Sequence, residues 1–325
     1  MVFYSMLISA LSQGMLYAPM ALGVFVTFRI LKTPDLTVDG SFVFGMTVCA
    51  AVTIAGHPVL ALFAGAAAGA LAGFFTALLQ TKLKIEPILS GILVASGLYT
   101  VNYAVLGGQS NLYLQYATVN SVGATVNETS PTIYKNFASL FSGVSSPYLD
   151  SNAQILILTL VIVALLTAIL GVFFFTRPGM AIRATGDNEA MVRASSINVD
   201  GIKMLAPALS NGCVALSGAV LAQYQGYADI NTGIGIVVVG LASVIIGEVL
   251  FGRRSLSFGL FSAVLGAIVY RFIIAIVLKI GIFPAFALKL VSSIVVALAL
   301  SVPAVKHAIR LRRRKKQGRK EAASC

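Results

Sequence analysis

Three ionisable side chains stand where apolar sequence leaves them few neighbours: Asp35 and Asp39 in TPDLTVDGSFVFG, and Arg271 within residues 256–278. A charge carried into hydrocarbon is costly, so it turns to the interior of a helix bundle and meets a partner or a solute. Arg271 can attract a carboxylate, pair structurally, or snorkel to the outer face, as Lys289 does more readily from the end of its run. Asp35 and Asp39 flank Thr37 at a break made by Pro34 and Gly40. With Ser41 they either line a path or cap the helix that follows. Glu248 lies beside Arg253 and Arg254, its expected partners, while Tyr99, Asn102 and Tyr103 sit towards an outer span end, where an aromatic belt accounts for tyrosines.

No catalytic constellation accompanies these charges. The chain has no Gly-rich loop ending in Lys-Ser or Lys-Thr, no H-E-x-x-H run and no G-x-S-x-G elbow. His57 and His307 are isolated, and Cys49, Cys213 and Cys325 are far apart. Neither a metal site, a dyad nor a disulfide is expected, and no cofactor. An energy source for any work must come from a separate ATPase or an ion gradient.

The second polar cluster is the island 176–203, TRPGMAIRATGDNEAMVRASSINVDGIK, between two long apolar runs. Arg177, Arg183, Arg193 and Lys203 mark it as a cytoplasmic loop, because positive side chains near span ends stay on that face. Asp187 can cap a short helix whose first turn carries Glu189, and Glu189 pairs with Arg193 at i, i+4. Ala190, Met191, Ala194 and Ile197 then share one face, which packs on the chain's own cytoplasmic end or docks a partner.

The run GMAIRATGDNEA followed by ASSINVDGIK resembles the cytoplasmic signature of ABC importer permeases of the branched-chain amino acid and ribose type. The likeness continues through Ser217–Gly218 into GIGIVVVGLASVIIGEVLFG. It implies that 176–203 holds a coupling helix seated in a cleft of an ABC ATP-binding subunit, with Arg183, Gly186, Asp187, Asn188, Glu189 and Arg193 at the contact. It also places Asp35, Thr37, Asp39 and Ser41 at a broken helix near the permeation path, although the spelling around Leu36–Gly40 is one residue longer than in the ribose type. The implied partners are that ATPase, an external substrate-binding lipoprotein and a second permease copy. TPDLTVDGSF is most similar to permeases paired with aromatic amino acid (tryptophan or tyrosine) binding proteins, with branched-chain amino acids, nucleosides and sugars left open.

The elements that would hold these residues are membrane helices. Hydrophobic residues make up 58% of the 325, charged residues 10%, and mean hydropathy is +0.92, the balance of an integral membrane protein. The expected fold is all-α and polytopic, with about eight or nine spans, since crossing takes about 20 apolar residues. The segments are 6–28, 42–55, 59–80, 87–106, 155–175, 204–224, 233–251, 256–278 and 286–302. The second is short enough to be half a broken helix. Parity and the basic loops place the amino end outside and the carboxyl end inside a bacterial cell membrane.

Within a permease domain of residues 1–304, the polar stretch 107–151 is an external loop. The tail 305–325 anchors to anionic headgroups rather than nucleic acid, despite the net charge of +12. Sliding PDLTVDGSFVFG onto ADINTGIGIVVVG pairs Gly40 with Gly235 and Gly45 with Gly240, the pattern of an inverted repeat with interrupted helices along a path. The competing function is a secondary transporter coupled to protons or sodium. It would favour acidic residues at mid-membrane, whereas most Asp and Glu here sit at span ends.

Overall fold

A computed structural model describes residues 2–119, 125–140, 151–252, 255–280, 290, 292–298 and 301. Its helices are α1 (Val2–Phe25), α2 (Val38–Ile54), α3 (Pro58–Thr81), α4 (Pro87–Val105), α5 (Ile133–Leu140), α6 (Ser151–Phe175), α7 (Arg177–Asp187), α8 (Glu189–Ala194), α9 (Val199–Gln225), α10 (Ile236–Phe251) and α11 (Leu256–Ile280). Four short strands are β1 (Asn111–Tyr113), β2 (Gln115–Val119), β3 (Thr125–Thr129) and β4 (Tyr227–Asp229). Among the described residues six helical segments are long and apolar enough to cross a membrane, while Val38–Ile54 and Ile236–Phe251 are shorter. The ninth expected segment, 286–302, lies largely outside the described residues.

The bundle is built around α1, α2 and α9. Hydroxyls tie two of them: Ser217 donates to the Leu16 carbonyl (2.6 Å) and Ser210 to that of Gly23 (2.7 Å), so α1 and α9 run antiparallel. Helix contacts in lipid gain little from the hydrophobic effect, and small residues that let backbones approach supply the packing instead. The Ala- and Gly-rich α3 does this against α9. A side chain at Gly69 or Gly73 would collide with the backbone at Asn211 or Pro207. By contrast α6 turns Leu160, Val161, Leu165, Ile169 and Val172 outward, an apolar surface suited to lipid.

Helix α2 begins at Val38, not near Phe42 as its apolar run suggested, because Asp39 and Gly40 already lie in its first turn. Gly40 packs on Ala95 and Leu98, halfway along α4. Helix α10 begins at the same depth, since the Gly235 and Val237 N–H groups at its start donate to Asp39 in the first turn of α2, and it then runs alongside α1 with Gly240 against Met20 and Val24. The two short helices therefore start at mid-bundle and run in opposite directions. This is the opposed pair that the sequence echo suggested, but pairing the helix starts Val38 and Ile236 sets Gly45 opposite Ser243 rather than Gly240. Glycine spacing alone misplaced the match.

The stretch 107–151, too long for a plain connection, carries structure of its own. β1 pairs antiparallel with β4, β2 with β3, and α5 follows. Gln223 fastens this cap to the bundle: its amide donates to the Pro58 carbonyl (2.7 Å) and accepts from the Ile133 N–H (2.8 Å).

Candidate translocation path and coupling surface

The acidic stretch between α1 and α2 divides into two environments. Asp35 is 6% exposed, with one carboxylate oxygen accepting the Thr37 N–H (2.9 Å) and the other the Asn211 amide (2.6 Å). Thr37, fully buried, shares a hydroxyl hydrogen bond with Thr76 of α3 (2.7 Å). Ser41 is also fully buried. The Asp35 and Thr37 side chains tie the start of α2 to α9 and α3, while the buried Ser41 hydroxyl has no hydrogen-bond partner among the described residues. Asn211 and Thr76 are the partners that reading by motif missed. The signal was a lone Asn inside the apolar run of α9, where an unpaired amide is costly.

Asp39 does something else. Its oxygens accept the Gly235 N–H (3.0 Å) and the Val237 N–H (2.8 Å), so it caps α10 rather than its own helix. Helix N-termini leave such donors free and carry a partial positive charge. Gly235 takes φ +80°, a left-handed turn that brings the chain into α10. Asp39 also borders a cavity of about 600 Å³, with Ser96, Tyr99 and Asn102 of α4 and Ile234 on its wall. Tyr99 and Asn102, which a belt at the span end would explain, line this cavity.

A larger cavity of about 950 Å³ lies on the other side of residues 230–236 and shares Ile234 with the first. Arg271 borders it, its guanidinium 3.5 Å from the centre of the Tyr17 ring. The Nε of Arg271 is buried with no hydrogen-bond partner, and among the described residues no carboxylate pairs with this side chain. Stacking on Tyr17 therefore holds it, rather than a salt bridge. Glu248 pairs with Arg29, a basic group of the π-helical turn Val26–Leu31 that ends α1; Arg253 and Arg254 lie outside the described residues.

The coupling island forms two helices. Asn188, extended between them, caps α8 by accepting the Met191 N–H (3.1 Å). This corrects the expected cap, Asp187, which instead closes α7 and pairs with Lys32 (2.7 Å). Asn is as good a cap as Asp, so composition could not choose between neighbours. Gly186 packs on the Ile30 carbonyl so closely that any side chain there would collide. Glu189 pairs with Arg193 (3.1 Å) as expected and also with Lys203 (2.6 Å), while Arg193 reaches Asp200 (3.7 Å). The Lys203 hydrogen bond, aided by Arg193 and opposed by burial, holds the Glu189 carboxyl below its usual value.

Buried Val192 seats α8, and Ala190, Met191, Ala194 and Ile197 are left exposed. Arg183 is exposed too. The island thus presents an apolar face on a charge-braced helix.

A family profile described as "Branched-chain amino acid transport system / permease component" matches residues 6–301. The chain is 34% identical to the tyrosine transport system permease protein of Clostridioides difficile, over 89% of this chain and 88% of that one. It is 28% identical to the galactofuranose transporter permease protein YtfT of Escherichia coli, over 88% and 76% of the two chains. The autoinducer 2 import system permease protein LsrC of Escherichia coli is 30% identical over 61% of this chain and 50% of its own length. No solved structure matches.

Proposed function

The chain belongs to the branched-chain amino acid type of ABC transport permeases, and from that membership we propose that it is the membrane subunit of an ATP-driven importer for an amino acid, aromatic ones foremost. Its partners are an ABC ATP-binding subunit, an external substrate-binding protein and a second copy of itself. The observation that carries the coupling half of this reading is the exposed apolar face of α8 beside Arg183, held in place by Glu189, Arg193 and Lys203. A short helix braced by salt bridges transmits force better than a loop, and among the described residues nothing covers its face. Lys32, Lys82, Lys84, Arg177 and Arg183 gather at this end of the bundle, which supports a cytoplasmic position for it and an outer one for the β1–β4 cap.

The solute route runs past the two cavities at mid-bundle. Arg271 attracts the solute carboxylate, Asp39 borders the route, and Asp35 and Thr37 hold the start of α2 from behind, with Ser41 buried beside them. The tyrosine permease relative favours an aromatic amino acid as the solute, and the galactofuranose relative makes a sugar the second candidate.

Crosslinking tests the coupling surface. With Met191→Cys in the assembled complex, a short bifunctional thiol reagent is expected to join the permease to the ATPase subunit, and with Tyr113→Cys at the opposite end it is not. Equal yields from the two variants, or none from Met191→Cys, would refute the docking role.

A further inference from the structure

We propose that the cavity beside Asp39 binds the ammonium group of the transported amino acid, with Asp39 as its counter-ion. The inference rests on the importer reading and adds which end of the solute this cavity recognises.

Asp39 sits at mid-bundle depth, where a lone carboxylate is expensive. Two backbone N–H groups at the start of α10 meet it, one on each oxygen. A helix N-terminus carries only about half a unit of positive charge, so the carboxylate is left partly uncompensated. Among the described residues no Lys or Arg pairs with it. Even with the Ile236 N–H as a third backbone contact, a carboxylate accepts about four hydrogen bonds, which leaves one direction for a donor from the cavity.

The cavity in front of it has the matching character. Among the described residues its wall carries no cationic side chain, and its polar groups are the Asp39 carboxylate, the hydroxyls of Ser96 and Tyr99, and the Asn102 amide. Tyr99 is 55% exposed and offers a ring face to a cation. Leu36 and Ile92 supply apolar surface for a side chain. About 600 Å³ is within the range of sites for small organic solutes. An anion would meet the like charge of Asp39 here and no cation to offset it. A free ammonium supplies the three donors and the charge that the site lacks.

Arg271 borders the separate cavity on the other side of residues 230–236, which shares only Ile234 with this one, so it does not neutralise Asp39. The ammonium and carboxylate of an α-amino acid hang from one carbon, so a solute meets the two charges in turn along the route, which gives no advantage to a neutral sugar.

Thiol protection tests the proposal. Ser96→Cys is placed in an otherwise cysteine-free chain, in the permease–ATPase complex in liposomes, and its rate of alkylation by N-ethylmaleimide is followed. L-Tyrosine and tyramine are expected to slow the reaction, whereas 3-(4-hydroxyphenyl)propionate, which lacks the amine, is not. Asp39→Asn should weaken protection by about tenfold, the scale of one charge-assisted hydrogen bond, and Asp39→Glu should restore part of it. If Asp39→Asn does not assemble, the contrast between amine and deaminated probe in the parent chain still decides. Equal protection by the two analogues overturns the inference, as does tyrosine uptake without protection. Should tyrosine not be taken up, the amino acid that is and its amine and deaminated analogues replace these probes. Absence of uptake of every amino acid would instead sink the importer reading.

Discussion

Two aspartates four residues apart have different duties, and burial separates them. Asp35 answers a backbone N–H and the Asn211 amide in a closed site, while Asp39 faces a cavity. Asp35→Ala leaves the Asn211 amide and the Thr37 N–H buried without their acceptor, a loss of about 1–3 kcal/mol for each stranded polar group. The expected outcome is a lower unfolding temperature for the detergent-purified chain, with the pair Asp35→Ala and Asn211→Leu recovering part of the loss because both partners are gone. Additive losses in the double variant would contradict the pairing. The sequence showed that both aspartates were unusual but not which of them was closed in, because Asn211 and Thr76 lie far along the chain. Arg271 was legible for the opposite reason: a single Arg in apolar sequence is conspicuous wherever its neighbours fall.

Between element and element, the chain joins its coupling surface to its path in few steps. Helix α7 rests on the π-helical turn through Gly186 at the Ile30 carbonyl and through Asp187 at Lys32, and Lys32 is three residues from Asp35. A displacement of α7 thus reaches the start of α2 with little chain in which to dissipate. The Lys32–Asp187 pair is exposed, so its worth in stability is within about 1 kcal/mol, and its effect belongs to coupling. Lys32→Asp is expected to leave assembly with the ATPase intact while lowering the solute moved for each ATP hydrolysed, and Lys32→Asp with Asp187→Lys to restore that ratio. An unchanged ratio in the single variant would show that force travels elsewhere. The amphipathic pattern of residues 188–197 announced α8, but nothing in it announced the π-helical turn, which depends on how α7 packs against the end of α1. Opposed short helices were legible as an echo. Their register was not, since glycine marks both close packing and turns.

Across the whole molecule, composition alone gave the membrane and most of the spans, because crossing hydrocarbon demands apolar length whatever the tertiary arrangement. It could not show that α1 and α9 are enclosed while α6 faces outward. That depends on the small residues and hydroxyls through which helices meet. The architecture, two short helices beginning head to head at mid-bundle with a cavity on each side, suits the proposed route. On the proposed reading, power enters through α7 and α8 from a separate subunit. The most direct measurement is uptake of labelled amino acid into liposomes holding the permease and its ATPase, with loaded binding protein outside, ATP enclosed, and ionophores present to collapse every ion gradient. Uptake that requires hydrolysable ATP and persists with the gradients gone is the predicted result. Uptake that stops when the gradients collapse, with ATP still plentiful, would contradict the account.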